Sequence, residues 1–346
     1  MINTLTSLRL LFALMVFGAH CYVLHPFFDA HFFKEGFVGV SFFFVLSGFI
    51  IAYNYRHKLQ EHKITKRTFW VARIARIYPL HWLTLLIAAA LGYTATTGTA
   101  DWFKHFLPSL TLTQAYIPLT DYFFSFNSPS WSLCCEQLFY FCFPFLVPFI
   151  GNGKRLLTVG GFIALLVVVG MYFTSEENIK GYWYVNPITR FPDFIVGLLV
   201  YKAYTHIKNR PLSFRTGSLL EVGAIVLFLL FYLYAAEIPK VYRYSCYYWL
   251  PVSAVLLCFS LQKGIISKWL SHRLLIIGGE ISYSFYLIHL FVLLTYAEGQ
   301  KAGFLPSIPW QIAVPVLFCI VIALSLLSYY YFEKPMNKYI KRLLNN

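Results

Sequence analysis

The sequence predicts an all-α membrane protein with about ten transmembrane helices and both termini in the cytoplasm. Three observations predict this class. Of the 346 residues, 59% are hydrophobic and 12% are charged, whereas soluble domains contain about 25% charged residues. Apolar runs long enough to cross the hydrocarbon layer, which needs about 20 residues, recur along the chain. Basic residues collect in alternate connections between these runs, as the positive-inside rule describes.

Ten apolar runs bounded by polar connections are the predicted spans. They cover 5–24, 36–55, 77–95, 131–150, 156–173, 190–206, 217–235, 245–262, 281–297 and 310–332. With the N-terminus inside, the inner connections and the C-terminal tail hold 20 of the 28 Lys and Arg residues, and the outer connections hold seven. This asymmetry predicts the orientation and explains the net charge of +14 without a nucleic-acid partner. We expect residues 1–346 to form one integral membrane domain without a soluble accessory domain.

The first span contains two ionisable residues, Arg9 and His20. A charged side chain at the centre of a bilayer costs about 2.5–3.5 kcal/mol on insertion scales, so such residues usually face a protein interior and have a function. Eleven residues are about three helical turns, so both side chains project from one face, about 16 Å apart along the axis. The alternative is structural: Arg9 reaches the cytoplasmic headgroups and His20 only donates or accepts a hydrogen bond within the bundle.

The second span carries small residues at Gly39, Ser47 and Gly48, which predict close helix packing. The inner connection 56–76 follows, and it contains seven Lys or Arg residues. Arg73 and Arg76 are three positions apart, so they share a face if the segment is helical. Orientation alone explains the charge, but paired guanidinium groups at the start of the third span also suit phosphate binding.

The connection from Thr96 to Ser130 is the longest outer one and is rich in aromatic residues, so we expect it to lie on or dip into the outer interface. Glu136 follows in the outer third of the fourth span, at the predicted depth of His20. A carboxylate beside an imidazole can fix its tautomer and stabilise its protonated form. The alternative partner is Arg190 at the outer end of the sixth span, in a purely structural ion pair.

Two further histidines, His81 and His289, lie within predicted spans. The spacing of the histidines, cysteines and carboxylates resembles no zinc or haem site, so we expect no metal. The seven cysteines lie in or beside apolar runs and are expected to be buried thiols. Cys135 is kept as a minor candidate nucleophile because it precedes Glu136.

The motifs, taken in order, resemble those of acyltransferase family 3, integral membrane enzymes that include bacterial O-acetyltransferases of surface polysaccharides. The similarity runs from one end of the chain to the other. It comprises Arg9 and His20 with ten residues between them, FFxLSGF at Phe43–Phe49, RxxRIYP at Arg73–Pro79, WSLxxE at Trp131–Glu136 followed by FY, RFPxFxxG at Arg190–Gly197, SYSxYLxH at Ser282–His289 and FEKP at Phe332–Pro335. One departure is Gln137, which stands where the family usually carries a second acid.

The resemblance implies transfer of an acyl group, usually acetyl from acetyl-CoA, to a hydroxyl of a glycan or glycolipid at the outer side of a bacterial inner membrane. We assign His20, Glu136 and Arg9 to catalysis, with His20 as general base. Arg73, Arg76 and Arg9 are expected to hold the phosphates of the acyl-CoA donor. Arg190, His289 and Trp131 are assigned to the glycan acceptor, and membrane lipids are the remaining partners.

Other mechanisms and functions stay open at this point. A covalent acyl-enzyme on His20 or Cys135 would replace direct transfer. A secondary transporter or flippase for a lipid-linked glycan would use the buried Arg, His and Glu as a proton relay. Such a transporter predicts two related halves, and the sequence has no internal repeat. The other large family of membrane acyltransferases, with an Asn before a His in a span, fits the order of the motifs less well.

Overall fold

The computed structural model describes residues 2–93 and 98–345, and within these ranges it contains helices and connections but no strand. This confirms the prediction of an all-α membrane protein. Each predicted span overlaps one helix of the described chain. These helices, α1 to α10, cover Asn3–His20, Val38–Gln60, Lys66–Ala90, Trp131–Gly151, Gly153–Tyr172, Pro187–Ile207, Phe214–Tyr234, Trp249–Ser260, Arg273–Lys301 and Trp310–Leu327.

Eight of the helices in the described ranges are long and apolar enough to cross a membrane. The exceptions among the predicted spans are α6, which carries Arg190, Asp193 and Lys202, and α8, which has only 12 residues. The exact count of ten and the cytoplasmic position of both termini therefore stay predictions.

The third helix differs most from its predicted bounds. It begins at Lys66, inside the segment 56–76, for which an inner loop is predicted. The Thr65 hydroxyl accepts the Thr68 backbone N–H at 3.1 Å and caps the helix there. Only residues 61–65 separate α2 from α3, so Arg73 and Arg76 are helical. The predicted end of this span at 95, and the start of the outer connection at 96 and 97, lie outside the described residues.

A helix in the outer connection, Thr99–Thr111, packs against the bundle. Trp102 stacks on Phe106 at a ring-centroid distance of 4.5 Å, and both rings contact Phe126 edge-on. Past α10, a π-helical turn at Ser328–Glu333 leads into the basic helix Lys334–Asn345. The remaining short helices lie in connections and cover His31–Lys34, Thr120–Phe123, Lys240–Arg243 and Ile265–Leu270.

The centre of the bundle is formed by α1, α2, α6 and α9, which approach one another at small residues. A Cβ atom added at Gly48 of α2 would collide with the Phe194 carbonyl oxygen of α6 and would lie 3.0 Å from the Cα of Gly197, so no side chain fits there. A Cβ at Gly39 would collide with the Phe12 backbone of α1. The prediction that small residues in the second span allow close packing is thus confirmed. This packing fixes α1 inside the bundle, with Arg9 and His20 directed into its interior.

Candidate active site

The half of the bundle that is predicted to face the cytoplasm encloses a cavity of about 140 Å³ lined by Arg9, Arg73 and Arg76. These are the three arginines that the sequence analysis assigned to the donor. They come from α1 and α3, and α4 completes the wall with Glu136 and Tyr140. We call this space the inner cavity. With Glu136 in the same wall, the three guanidinium groups leave an excess of positive charge that can attract an anion.

Arg76 is held by a carboxylate that the sequence analysis did not assign. It forms an ion pair with Glu333, which is 2% exposed and also accepts a hydrogen bond from the Ser284 hydroxyl at 2.8 Å. Glu333 ends the π-helical turn after α10. It belongs to the FEKP motif, and this motif is the sequence feature that could have identified it as a site residue. A carboxylate buried on an arginine fixes that guanidinium in place.

Arg73 and Arg9 are less engaged with the protein. Arg73 donates to the Tyr55 hydroxyl at 2.8 Å and lies over the rings of Tyr55 and Tyr140, while its buried Nε has no partner. Arg9 forms no hydrogen bond or ion pair within residues 2–93 and 98–345, although it faces the cavity from the middle of α1. A guanidinium inside a membrane bundle is costly without an anion nearby. These two groups are therefore the ones free to bind a ligand.

Glu136 lies beside the arginines and does not contact His20. Its Oε2 accepts the Tyr140 hydroxyl at 2.7 Å, and it shares the inner cavity with Arg9. The expected orientation of His20 by Glu136 is not what the structure contains. The reason is depth: Trp131 lines the same cavity as His20, whereas Glu136 lies five residues, about 7.5 Å, further along α4 and lines a different one.

The alternative pairing, between Glu136 and Arg190, is also absent from the described chain. Arg190 pairs instead with Asp193, with an Nε–Oδ2 distance of 2.9 Å, and both side chains are fully buried. Its Nη2 donates to the Ser41 hydroxyl at 2.8 Å. Asp193 also accepts from Ser245 and Trp249. These partners give Arg190 a place in the packing of α6 and leave it away from the cavities described here.

His20 has a histidine as its partner. Its Nδ1 lies 3.0 Å from Nε2 of His289, and Nδ1 of His289 lies 2.7 Å from the backbone carbonyl of Tyr286. A carbonyl oxygen only accepts, so Nδ1 of His289 carries a proton, and in a neutral ring its Nε2 is an acceptor. Nδ1 of His20 then donates to His289. The remaining nitrogen of His20, Nε2, keeps its lone pair.

The outer end of α1 opens into a larger cavity of about 500 Å³, lined by His20 and Trp131. We call this the outer cavity. One wall is a row of aromatic rings in which Trp131 contacts Tyr184 and Tyr184 contacts Tyr244, each with centroids 4.6 Å apart. Trp131 was assigned to the acceptor, and it lies in the same cavity as His20. His289, assigned likewise, reaches this region only through His20.

A third, small cavity of about 50 Å³ lies between the other two. It shares Arg9, Phe43, Glu136 and Tyr283 with the inner cavity, and Val40 and Tyr286 with the outer one. The three cavities therefore follow one another along α1, from the level of Arg9 to that of His20. The 11-residue separation corresponds to about 16 Å. This row, rather than either end alone, is the candidate active site.

Comparison with known proteins identifies the family. A profile described as "Acyltransferase domain" matches residues 2–330, nearly the whole chain. The chain belongs to acyltransferase family 3. It is 30% identical over 331 residues to "Acyltransferase MdmB" of Streptomyces mycarofaciens, a match that covers 87% of this chain and 81% of that protein. No solved structure matches.

Other relatives of this acyltransferase are longer proteins. "O-acetyltransferase OatA" of Staphylococcus aureus strain NCTC 8325 is 25% identical over 346 residues, covering 90% of this chain and 54% of OatA. "Putative O-acetyltransferase SACOL0978" of S. aureus strain COL is also 25% identical, with the same coverage. The chain thus spans about half the length of these relatives. The helices and the relatives together make it a multi-pass membrane protein of acyltransferase type.

The acyltransferase has no ready metal site in residues 2–93 and 98–345, where no three His, Cys, Asp or Glu residues cluster. Cys135 is buried, and its thiol lies 3.5 Å from the Val185 carbonyl. His81 is also buried, and its Nε2 lies 2.8 Å from the Ser109 carbonyl. Both residues are thus engaged with backbone outside the three cavities.

Proposed function

We propose that this protein transfers an acyl group, acetyl in the first instance, from cytosolic acyl-CoA to a hydroxyl of a glycan or glycolipid at the outer side of the bacterial inner membrane. The observation that carries the proposal is the row of cavities between the arginines and His20. A long donor, with a charged end and a reactive end, needs two sites held far apart. The row of cavities supplies both sites along α1.

The inner cavity would hold the anionic end of the donor. Arg73 and Arg9 have guanidinium groups free to bind phosphate, and planar forks match phosphate oxygens. Arg76 keeps its Glu333 partner and completes the wall of the cavity. Glu136 lines the same cavity as Arg9, so we now propose a positioning role for it. The pantetheine arm would pass the small middle cavity and bring the thioester to His20.

His20 would then act as general base at Nε2. It takes the proton of the acceptor hydroxyl as that oxygen attacks the thioester carbon. The C–S bond breaks, the CoA thiolate leaves, and the imidazolium returns the proton to it, so the products are the ester and CoA. His289 accepts from Nδ1 of His20 and holds it in the productive tautomer. Such base assistance typically contributes 10²–10⁴-fold to the rate.

Titration of the purified full-length protein with acetyl-CoA, in lipid nanodiscs, tests the donor site. We expect saturable binding that is lost in the Arg9→Ala/Arg73→Ala double variant. A transporter or flippase that uses the same charges as a proton relay would bind no acetyl-CoA, so absence of binding by the wild-type protein would contradict the proposal.

Transfer itself is tested on cells with and without the gene. Mass spectrometry of their surface glycans should reveal a mass increment of one acyl group that depends on the gene and on His20. An unchanged set of glycans, together with normal acetyl-CoA binding, would point to an acceptor other than a surface glycan.

A further inference from the structure

The outer cavity gathers most of the cations on its side of the membrane. The positive-inside rule leaves few Lys and Arg residues in outer connections, and this chain has seven predicted there. Four of the seven, from three separate connections, line the outer cavity: Lys34, Lys180, Lys240 and Arg243. The positive-inside rule does not require these four side chains to lie around one cavity. Their proximity therefore points to a bound ligand.

Within the described ranges, only two of these four cations have an acidic partner. The acids that line the outer cavity are Asp29 and Glu35. Asp29 pairs with Lys34 at 3.0 Å. Glu35 is almost fully buried, pairs with Arg243 and accepts the Tyr248 hydroxyl at 2.6 Å.

Lys180 and Lys240 have no carboxylate partner among residues 2–93 and 98–345. Lys180 lies over the Phe124 ring at 4.7 Å and Lys240 over the Tyr244 ring at 5.7 Å. The acids nearest to them in sequence, Glu177 and Glu237, form no ion pair with them and do not line the cavity. Two unneutralised ammonium groups thus flank one space at its exposed rim.

The remaining wall suits a sugar. Trp131, Tyr184 and Tyr244 present a contiguous row of rings, and aromatic faces pack against the apolar face of a pyranose while leaving its hydroxyls free. His20 lines the same space, so a hydroxyl of that sugar would be in reach of its Nε2. The outer cavity therefore combines an aromatic wall, a basic imidazole and two ammonium groups.

From this arrangement we infer that the acceptor is an anionic saccharide, whose negative group is bound by Lys180 and Lys240 while its ring packs on Trp131 and Tyr184. The inference rests on the proposed function and names its acceptor class. The anion can be a carboxylate on the sugar itself or the phosphate that links the sugar to a lipid carrier. In both cases an oxyanion meets two ammonium groups beside the reactive imidazole.

Three probes that differ in charge test this inference by their binding to the full-length protein in nanodiscs of zwitterionic lipid. They are methyl glucoside, methyl glucuronide and farnesyl-diphosphate-linked glucose. A charge-assisted contact should make at least one charged probe bind about tenfold more tightly than the neutral one. Preference for the glucuronide places the charge on the sugar, and preference for the diphosphate places it on the carrier. Equal affinities, or no binding of either charged probe, would overturn the inference.

Matched lysine variants show whether the two named groups are responsible. Lys180→Gln and Lys240→Gln should each weaken binding of the preferred charged probe by about tenfold and leave methyl glucoside unaffected. Lys104→Gln removes the same charge from an exposed outer position away from the cavity and should change nothing. If the double lysine variant binds the charged probe as the wild type does, the assignment is wrong.

Acetyl-CoA titration of the same samples separates the two levels of the proposal. The donor is proposed to enter at the inner cavity, so its affinity does not depend on the charge of the probe. Absence of acetyl-CoA binding by the wild-type protein contradicts the proposed function. Normal acetyl-CoA binding without any preference for charged probes contradicts only the anionic acceptor.

Discussion

The inner and outer cavities both carry positive charge, but they hold it differently. In the inner cavity, of about 140 Å³, the cations are guanidinium groups: Arg76 is paired with Glu333, and Arg73 is bound by Tyr55 and stacks on Tyr140. In the outer cavity, of about 500 Å³, the unpaired cations are lysines at an exposed rim. A rigid fork suits one invariant anion, whereas a flexible ammonium adapts to several. The difference fits an inner end built for a constant donor and an outer end built for a variable acceptor.

Replacement of His20 is the strongest way to break this comparison. His20→Ala removes the proposed base from the outer end and should reduce acyl transfer by about 10²–10⁴-fold, measured with radiolabelled acetyl-CoA in membranes. Acetyl-CoA affinity should stay normal because the inner arginines are intact. Wild-type transfer by this variant would show that chemistry does not take place at the outer end.

Replacement of Arg9 tests the inner end. Arg9→Ala should weaken acetyl-CoA binding by about 10- to 100-fold, since charge-assisted hydrogen bonds contribute about 1.5–3 kcal/mol. Arg9→Lys keeps the charge but not the planar fork, and it should recover part of the affinity. Calorimetric titration measures both variants. An Arg9→Ala protein with unchanged affinity for acetyl-CoA would remove Arg9 from the donor site.

Replacement of His289 sharpens the description of the outer end. His289→Leu leaves Nδ1 of His20 without an acceptor, so we expect kcat to fall by about tenfold at unchanged KM for the donor. His289→Gln, whose amide oxygen can accept from the same N–H, should restore much of the loss. If leucine and glutamine have equal effects, the contact between the two rings only fills space.

Replacement of Cys135 should have the smallest effect. Its thiol faces the Val185 carbonyl and lines none of the three cavities. Cys135→Ser should therefore retain transfer within about twofold, a difference of less than 0.5 kcal/mol in the barrier. An inactive but correctly inserted Cys135→Ser protein, judged by normal acetyl-CoA binding, would favour a covalent acyl-enzyme at this residue.

The sequence predicts the fold and part of the candidate site because both depend on local patterns. Hydropathy determines where helices can span, and the 11-residue spacing places Arg9 and His20 on one face of α1. The partners of these residues depend on distant chain segments. His20 and His289 are 269 positions apart, and Arg76 and Glu333 are 257 apart. A single sequence does not say which helices are neighbours.

The expected contact between Glu136 and His20 failed for a related reason. Depth was judged from the ends of apolar runs, which place a residue only to within a few positions. Five positions along α4 decide whether a side chain meets the outer cavity, as Trp131 does, or the inner one, as Glu136 does. The sequence thus predicts which residues belong to the site, but it does not predict the depth at which each side chain lies in the bundle.

The crossing of α2 and α6 at Gly48 and Gly197 limits the relative motion of the helices. Two backbones in direct contact cannot slide or rotate past each other without collision, so α2 and α6 behave as one rigid unit. The same holds for α9, where a Cβ atom added at Gly279 would collide with the Thr6 backbone of α1. The row of cavities is therefore built on a frame of α1, α2, α6 and α9 whose spacing is set by contact between backbones.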